Sequence, residues 1–349
     1  MLFRFAIAKL LIENGADVNA QGGEYGNALQ AASYKGYEAI AKLLIENGAD
    51  VNAQGGQYGN ALQVASYKGY EATAKLLIEN GADVNAQGGR YGNVLQAALY
   101  LGHEVIAKLL IENGVDVNAQ GEHGNALQAA LFWDHEAIAK LLIENGADVN
   151  AQGGCYGNAL QAALCKGYKA IAKLLIENGA DVNAQGGHCG NPLQEASSHG
   201  YKATAKLLIE HGADVNAQGG YYGSALQAAS YKGYEATAKL LIENGADVNA
   251  QGGEDGNALQ AASLLGHEAI TRLLIEHGAN VNAQGGEHGN ALWAASIWGH
   301  EAIVKLLIEN GADVNVQGGE HGNALQAASF WGHEAIAKLL RQNGAHVNV

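Results

Sequence analysis

The chain has 349 residues, 48% of them apolar, with 49 glycines and a single proline. That is enough apolar mass for a substantial core, and one proline excludes a proline-rich linker or polyproline segment. Twenty Lys and Arg stand against 35 Asp and Glu, a formal net charge of −15, so there is no basic footprint for nucleic acid and little attraction to anionic lipid.

In chain order, Met1 to Tyr25 reads as a helix and a turn. Its AIAKLLIENG returns downstream after Glu38 and elsewhere, which makes it a piece of fold and not a targeting segment. No run approaches the ~20 apolar residues that a membrane span needs. From Gly26 the chain repeats itself. Copies begin at Gly26, Gly59, Gly92, Gly124, Gly157, Gly190, Gly223, Gly256, Gly289 and Gly322, spaced by 33 residues except for 32 between Gly92 and Gly124. A fixed period of this length is the signature of a solenoid. Composition does not break anywhere, so residues 1–349 are expected to form one repeat domain: ten full copies after a partial one at 1–25.

Within the copy that starts at Gly26, Asn27 precedes Ala28-Leu29-Gln30. Asn-x-x-Gln predicts an N-cap oxygen on the first-turn amides, with Gln30 able to reach back to the cap. Ser224 takes the cap position in one copy, and the lone proline, Pro192, falls at the first helical position, where a missing N–H costs least. The first helix should run over about Ala28 to Lys35 and stop at Gly36. A second helix, about Glu38 to Asn47, carries Ile40, Leu43, Leu44 and Ile45 on one face and a Glu38–Lys42 pair on the other. Lys169 and Lys202 replace that Glu in two copies, which should lose the pair. Residues 49–58 read as an extended turn or hairpin. Helices of ~8 and ~10 residues fall below the length at which isolated helices persist, so each copy must stack on its neighbours.

The run Gly36 to Ala53, Gly-Tyr-Glu-Ala-Ile-Ala-Lys-Leu-Leu-Ile-Glu-Asn-Gly-Ala-Asp-Val-Asn-Ala, resembles the second helix and connection of the ankyrin repeat. The likeness returns ten times and covers nearly the whole chain. That family's Thr-Pro-Leu-His opening is here Asn-Ala-Leu-Gln, a variant similar to the ankyrin arrays of fungal NACHT, NLR-like receptors. The resemblance implies an all-α repeat solenoid of helix-turn-helix units that binds protein partners through its concave face, at the turn tips and first-helix ends.

Those two places are where the copies differ most. The tips read Gln57-Tyr58, Arg90-Tyr91, Glu122-His123, Cys155-Tyr156, His188-Cys189, Tyr221-Tyr222, Glu254-Asp255, Glu287-His288 and Glu320-His321. The first-helix ends include Tyr34-Lys35, Tyr67-Lys68, Tyr100, Phe132-Trp133, Tyr231, Ile297-Trp298 and Phe330-Trp331. Tyr and Trp dominate binding hot spots, so Tyr34, Lys35, Tyr58, Tyr67, Lys68, Tyr91, Tyr100, Phe132, Trp133, Tyr231, Trp293, Ile297, Trp298, Phe330 and Trp331 form the candidate partner-binding set. Trp293, Ile297, Trp298, Phe330 and Trp331 are expected to make one apolar patch. The other reading is that these rings merely pack on one another along the stack.

Other chemistry is weakly supported. Gly55-Gly56-x-x-Gly59 lacks the strand and the Lys-Ser/Thr of a phosphate loop, and the five His-Glu pairs, such as His103-Glu104, never extend to His-Glu-x-x-His. Cys155, Cys165, His188 and Cys189 lie on neighbouring copies, whose tips stand too far apart to share one metal. No enzyme, cofactor or metal is expected, and three scattered cysteines suit the reducing cytosol, with the nucleus also open. Two functions stay open: a protein-interaction scaffold, the recognition part of a larger signalling receptor, or a structural or self-associating array. At the start, the partial copy lacks its first helix, so the chain reads as a fragment of a longer array whose uncapped apolar side could self-associate. At the other end Arg341, Gln342 and His346 replace Ile, Glu and Asp, as a polar terminal copy requires.

Overall fold

A computed structural model describes residues 2–153, 156–186, 190–319 and 322–346. Among them are 21 helices, opening with Leu2–Glu13 and then alternating first and second helices of each copy. The contacts divide the chain into two compact units, Met1–Ala180 and Asp181–Val349.

Local chemistry sets each helix as the sequence predicts. The copy at Gly26 has helices Ala28–Lys35 and Glu38–Glu46. Asn27 is extended, and its side chain accepts the Gln30 amide hydrogen at 2.8 Å. Gly36 ends the first helix at φ 66°, with its N–H on the carbonyls of Ala32 and Ser33. Pro192 opens its helix behind Asn191, and Ser224 caps in place of Asn. A cap of this kind is worth about 1 kcal/mol.

The glutamine does more than close the box. In the next copy Gln63 Oε1 accepts from the Asn60 N–H at 2.8 Å, while Nε2 donates to the Gly88 carbonyl of the following turn, also at 2.8 Å. Gln30 donates to the Gly59 carbonyl at 2.6 Å, and in the second unit Gln227 donates to Gly252 and Gly256. One side chain therefore caps its own helix and fastens the adjacent copy.

A second fastening comes from Asp-Val-Asn. Asn52 N–H donates to Asp50 Oδ1 at 2.9 Å, its Nδ2 donates to the Gly81 carbonyl at 3.0 Å, and its Oδ1 accepts from Asp83 N–H at 2.8 Å. The same exchange recurs in the second unit at Asn216, with Gly245 and Asp247. The predicted hairpin is only a tight glycine turn, closed by Gly55 N–H on the Gly59 carbonyl at 2.8 Å. At φ 60°, Gly56 lies against the Tyr25 carbonyl, where a Cβ would collide with backbone.

The core follows the leucines. Leu62, Leu95 and Leu127 of first helices and Leu77, Leu110 and Leu142 of second helices are buried in the first unit, as are Leu226, Leu241, Leu274 and Leu307 in the second. At the start, Phe3, Leu10 and Leu11 are exposed. A hollow of about 330 Å³, lined by Leu11, Ile12, Val18, Ala28, Ile40 and Leu44 among others, lies where later copies seat a preceding first helix. Ile40 is consequently half-buried, whereas Ile106 and Ile138 in the same register are buried.

The charged stripe departs from expectation. Most of the ion pairs run from Lys to the Glu one turn later: Lys75–Glu79 at 3.9 Å and Lys108–Glu112 at 4.0 Å, for example. The expected order is seen at Glu268–Arg272, 2.9 Å. The copies with Lys169 and Lys202 keep a pair, Lys173–Glu177 and Lys206–Glu210. All these groups are exposed, so packing enforces neither order and each pair is worth only a few tenths of a kcal/mol.

Candidate partner-binding surface

In the first unit, the turn tip of each copy reaches the end of its own first helix, and both reach the next copy. Rings at these positions form a continuous ladder. Tyr25 meets Tyr34 with ring centroids 4.5 Å apart, Tyr34 meets Tyr58 at 5.4 Å, and Tyr58 meets Tyr67 at 5.6 Å. Tyr67 stacks on Tyr91 at 4.7 Å, Tyr91 on Tyr100 at 4.8 Å, and Tyr100 meets Trp133 edge-on at 4.8 Å. Phe132 and His123 close the series, stacked at 4.5 Å. Each ring pair adds about 0.5–1.5 kcal/mol beyond its buried area.

Cations lie over this ladder. Lys68 Nζ stands 4.1 Å from the Tyr34 centroid and Lys35 Nζ 5.1 Å from the same ring. Hydrogen bonds from Lys68 and then Tyr58 hold the Tyr34 hydroxyl below its ordinary value. Burial, followed by its bond to Tyr34, pushes Tyr58 up to about 12, and burial likewise raises Tyr91. The ladder is a packed, partly dry structure.

The second unit keeps one such pair and then departs from the pattern. Tyr222 and Tyr231 pair at 5.4 Å with Lys232 above them. Beyond these the tips become Glu254-Asp255 and Glu287-His288, and the helix ends become Leu264-Leu265, Ile297-Trp298 and Phe330-Trp331. Trp298, Phe330 and Trp331 are 61%, 68% and 55% exposed.

Three of the expected contact residues are buried. Tyr58 and Tyr91 are 9% and 8% exposed because neighbouring rings cover them on both sides, and they serve the ladder's interior. Trp293, at 3%, does not join the Trp298 patch. It stands in the Gln30 register, and its ring packs over Gly318 and Gly319 of the next turn where other copies place an amide. Tyr34, Tyr67, Tyr100, Phe132, Trp133, Tyr231 and Ile297 are half-buried, as is Lys68, while Lys35 is exposed. The tip residues Cys155, His188, Cys189, Glu320 and His321 lie outside the described residues.

The His-Glu pairs have a structural use that the sequence reading did not give them. His103 Nε2 bonds the Tyr67 carbonyl of the preceding copy at 3.0 Å, and His300 and His333 bond Leu264 and Ile297 likewise. Among the described residues no group of three or more His, Cys, Asp or Glu could hold a metal ion, and no helix is long and apolar enough to cross a membrane.

Short helix pairs, turns closed by glycine, and two surface registers left free to vary define a repeat protein built on nearest-neighbour packing. The family model described as ankyrin repeats, three copies, matches residues 3–88, 62–153, 95–186, 152–219, 225–318 and 287–349. The chain belongs to the ankyrin-repeat family, an all-α repeat solenoid whose members are generally protein-interaction modules and typically not enzymes. A search of curated proteins found no match.

Proposed function

We propose that this chain is a recognition module that binds a partner protein through its turn tips and first-helix ends, acting in the cytosol as part of a larger signalling receptor. The observation that carries the reading is the exposure of Trp298, Phe330 and Trp331 on consecutive copies. Large rings this exposed are a cost that burial against a partner removes. Affinity capture with the wild-type chain and with a Trp298→Ala/Trp331→Ala variant tests it. Bound proteins should be lost with the variant while its circular dichroism stays unchanged; an identical captured set would overturn the reading.

A second reading rests on the exposed Phe3, Leu10 and Leu11 beside the hollow of about 330 Å³. That face could join copies into a self-associating array. Light scattering over a wide concentration range decides it: a mass that grows with concentration, and that Leu10→Glu abolishes, supports assembly, and a constant monomer mass removes it.

A further inference from the structure

In copies eight and nine the two varying registers carry one chemistry. Their first-helix ends are apolar, Leu264-Leu265 and Ile297-Trp298, and Phe330-Trp331 follows. None has the lysine found in that place at Lys35, Lys68, Lys166 and Lys232. The tips that lead into these copies are acidic, Glu254-Asp255 and Glu287-His288.

A tip and the first-helix end that follows it meet at Tyr91–Tyr100, 4.8 Å, and Tyr222–Tyr231, 5.4 Å. The same registers hold Glu254-Asp255 before Leu264-Leu265, and Glu287-His288 before Ile297-Trp298, where the His288 ring lies 6.1 Å from Trp293. The two tips are themselves joined, Glu287 N–H donating to the Glu254 carbonyl at 3.0 Å and His288 Nε2 lying 3.8 Å from Asp255 Oδ1. Burial pushes the Asp255 carboxyl up, His288 opposes this, and the nearby Glu254 and Glu287 push it further. An acidic edge short of positive charge thus borders exposed Leu265 and Trp298.

Resting on the interaction reading above, we propose that this face binds a basic segment of a partner protein that also carries large apolar side chains. Its Lys or Arg would meet Glu254, Asp255 and Glu287, and its apolar side chains would cover Trp298 and Trp331. An acidic segment would meet like charge, and a purely apolar one would strip water from the carboxylates without compensation.

Three labelled peptides test this on the full chain by fluorescence anisotropy: an amphipathic Lys/Leu peptide, its Glu/Leu counterpart, and oligolysine. The Lys/Leu peptide should bind best. Trp298→Ala/Trp331→Ala should weaken it roughly tenfold, the scale of an aromatic hot spot. Glu254→Gln/Glu287→Gln should weaken it severalfold at low salt and converge with wild type at high salt. Lys75→Ala/Lys108→Ala, at exposed second-helix positions of the first unit, should leave it unchanged. If the Glu/Leu peptide binds as well and still depends on the Trp pair, the charge assignment is wrong and the interaction surface stands. If oligolysine matches the Lys/Leu peptide, or the Trp variant binds it like wild type, this face is not the site and both readings fail for it.

Discussion

The same two-residue slot at the end of the first helix is used in opposite ways by the first unit and by the last three copies of the second. In Met1–Ala180 the slot's Tyr34, Tyr67 and Tyr100 find tip rings to stack on, and the series covers itself. In Asp181–Val349 the tips leading into copies eight and nine are Glu254-Asp255 and Glu287-His288, so no tip tyrosine exists to cover Trp298. His288 turns instead to Trp293, 6.1 Å between centroids. Whether an aromatic ring becomes structure or surface is thus decided by the residue that the turn places opposite it, not by the ring itself.

The comparison breaks most visibly if the ladder can be removed at no cost. Tyr58→Ala with Tyr91→Ala should destabilise the chain by more than about 4 kcal/mol, since each empties a ring-sized space between covered neighbours. Trp298→Ala should change stability by no more than about 0.5 kcal/mol, because its ring faces water. Urea unfolding followed by circular dichroism compares them, and similar midpoints would abolish the distinction. The same rings predict an alkaline response. Tyr58 is raised to about 12, so the stability tied to its neutral form is complete below about pH 10 and disappears as pH rises through about 12. Helical signal should fall over that window together with rising tyrosinate absorbance, and Tyr58→Phe should move the fall to higher pH.

Trp293 sharpens the comparison from the other side, as a ring of the second unit that is structural. Trp293→Ala should cost about 3 kcal/mol by opening a cavity over Gly318 and Gly319. Trp293→Gln should cost less, because an amide in this register can donate to the next turn as Gln260 does to Gly285, at 2.9 Å. Thermal melts of the two variants test the order, and a Gln variant as unstable as the Ala variant would show that the turn has adapted to the indole.

Much of this was legible in the sequence, for a physical reason. Caps and stops depend on residues within one turn of one another, so Asn27, Gln30 and Gly36 announce helix Ala28–Lys35 without reference to anything distant. The period then implies stacking, because such short helices have no other source of stability. What the sequence left open lies between copies. Gln30 and Asn52 read as a cap and a turn residue, yet each also bonds the following copy. Tyr58 and Tyr221 occupy neighbouring tip positions, but Tyr58 is enclosed by Tyr34 and Tyr67, whereas Tyr221 is exposed. Trp293 could have been read from its Gln register alone, which marks it as an inward-facing connector rather than a member of the Trp298 patch.

Asp134 offers the smallest and most local test. It stands where other copies place the glycine that ends the first helix, and among the described residues it is the one non-glycine with positive φ, 64°. Asp tolerates that backbone better than Ala does. Its carboxylate also meets the next copy, accepting from the Tyr168 hydroxyl at 2.6 Å and lying 3.1 Å from Lys166 Nζ. These contacts, Tyr168 first, hold its carboxyl below the ordinary range. Asp134→Ala should therefore cost about 1 kcal/mol, while Asp134→Gly relieves the backbone and loses only the exposed contacts, a net change below that. The sign of the charged contribution follows from the lowered value: it is present above the unfolded carboxyl's pKa near ~4 and is lost as pH falls through the folded one. Urea midpoints should thus favour Asp over Gly more at neutral pH than in acid. A difference that grew in acid would show that backbone strain, not the link to Tyr168 and Lys166, governs this position.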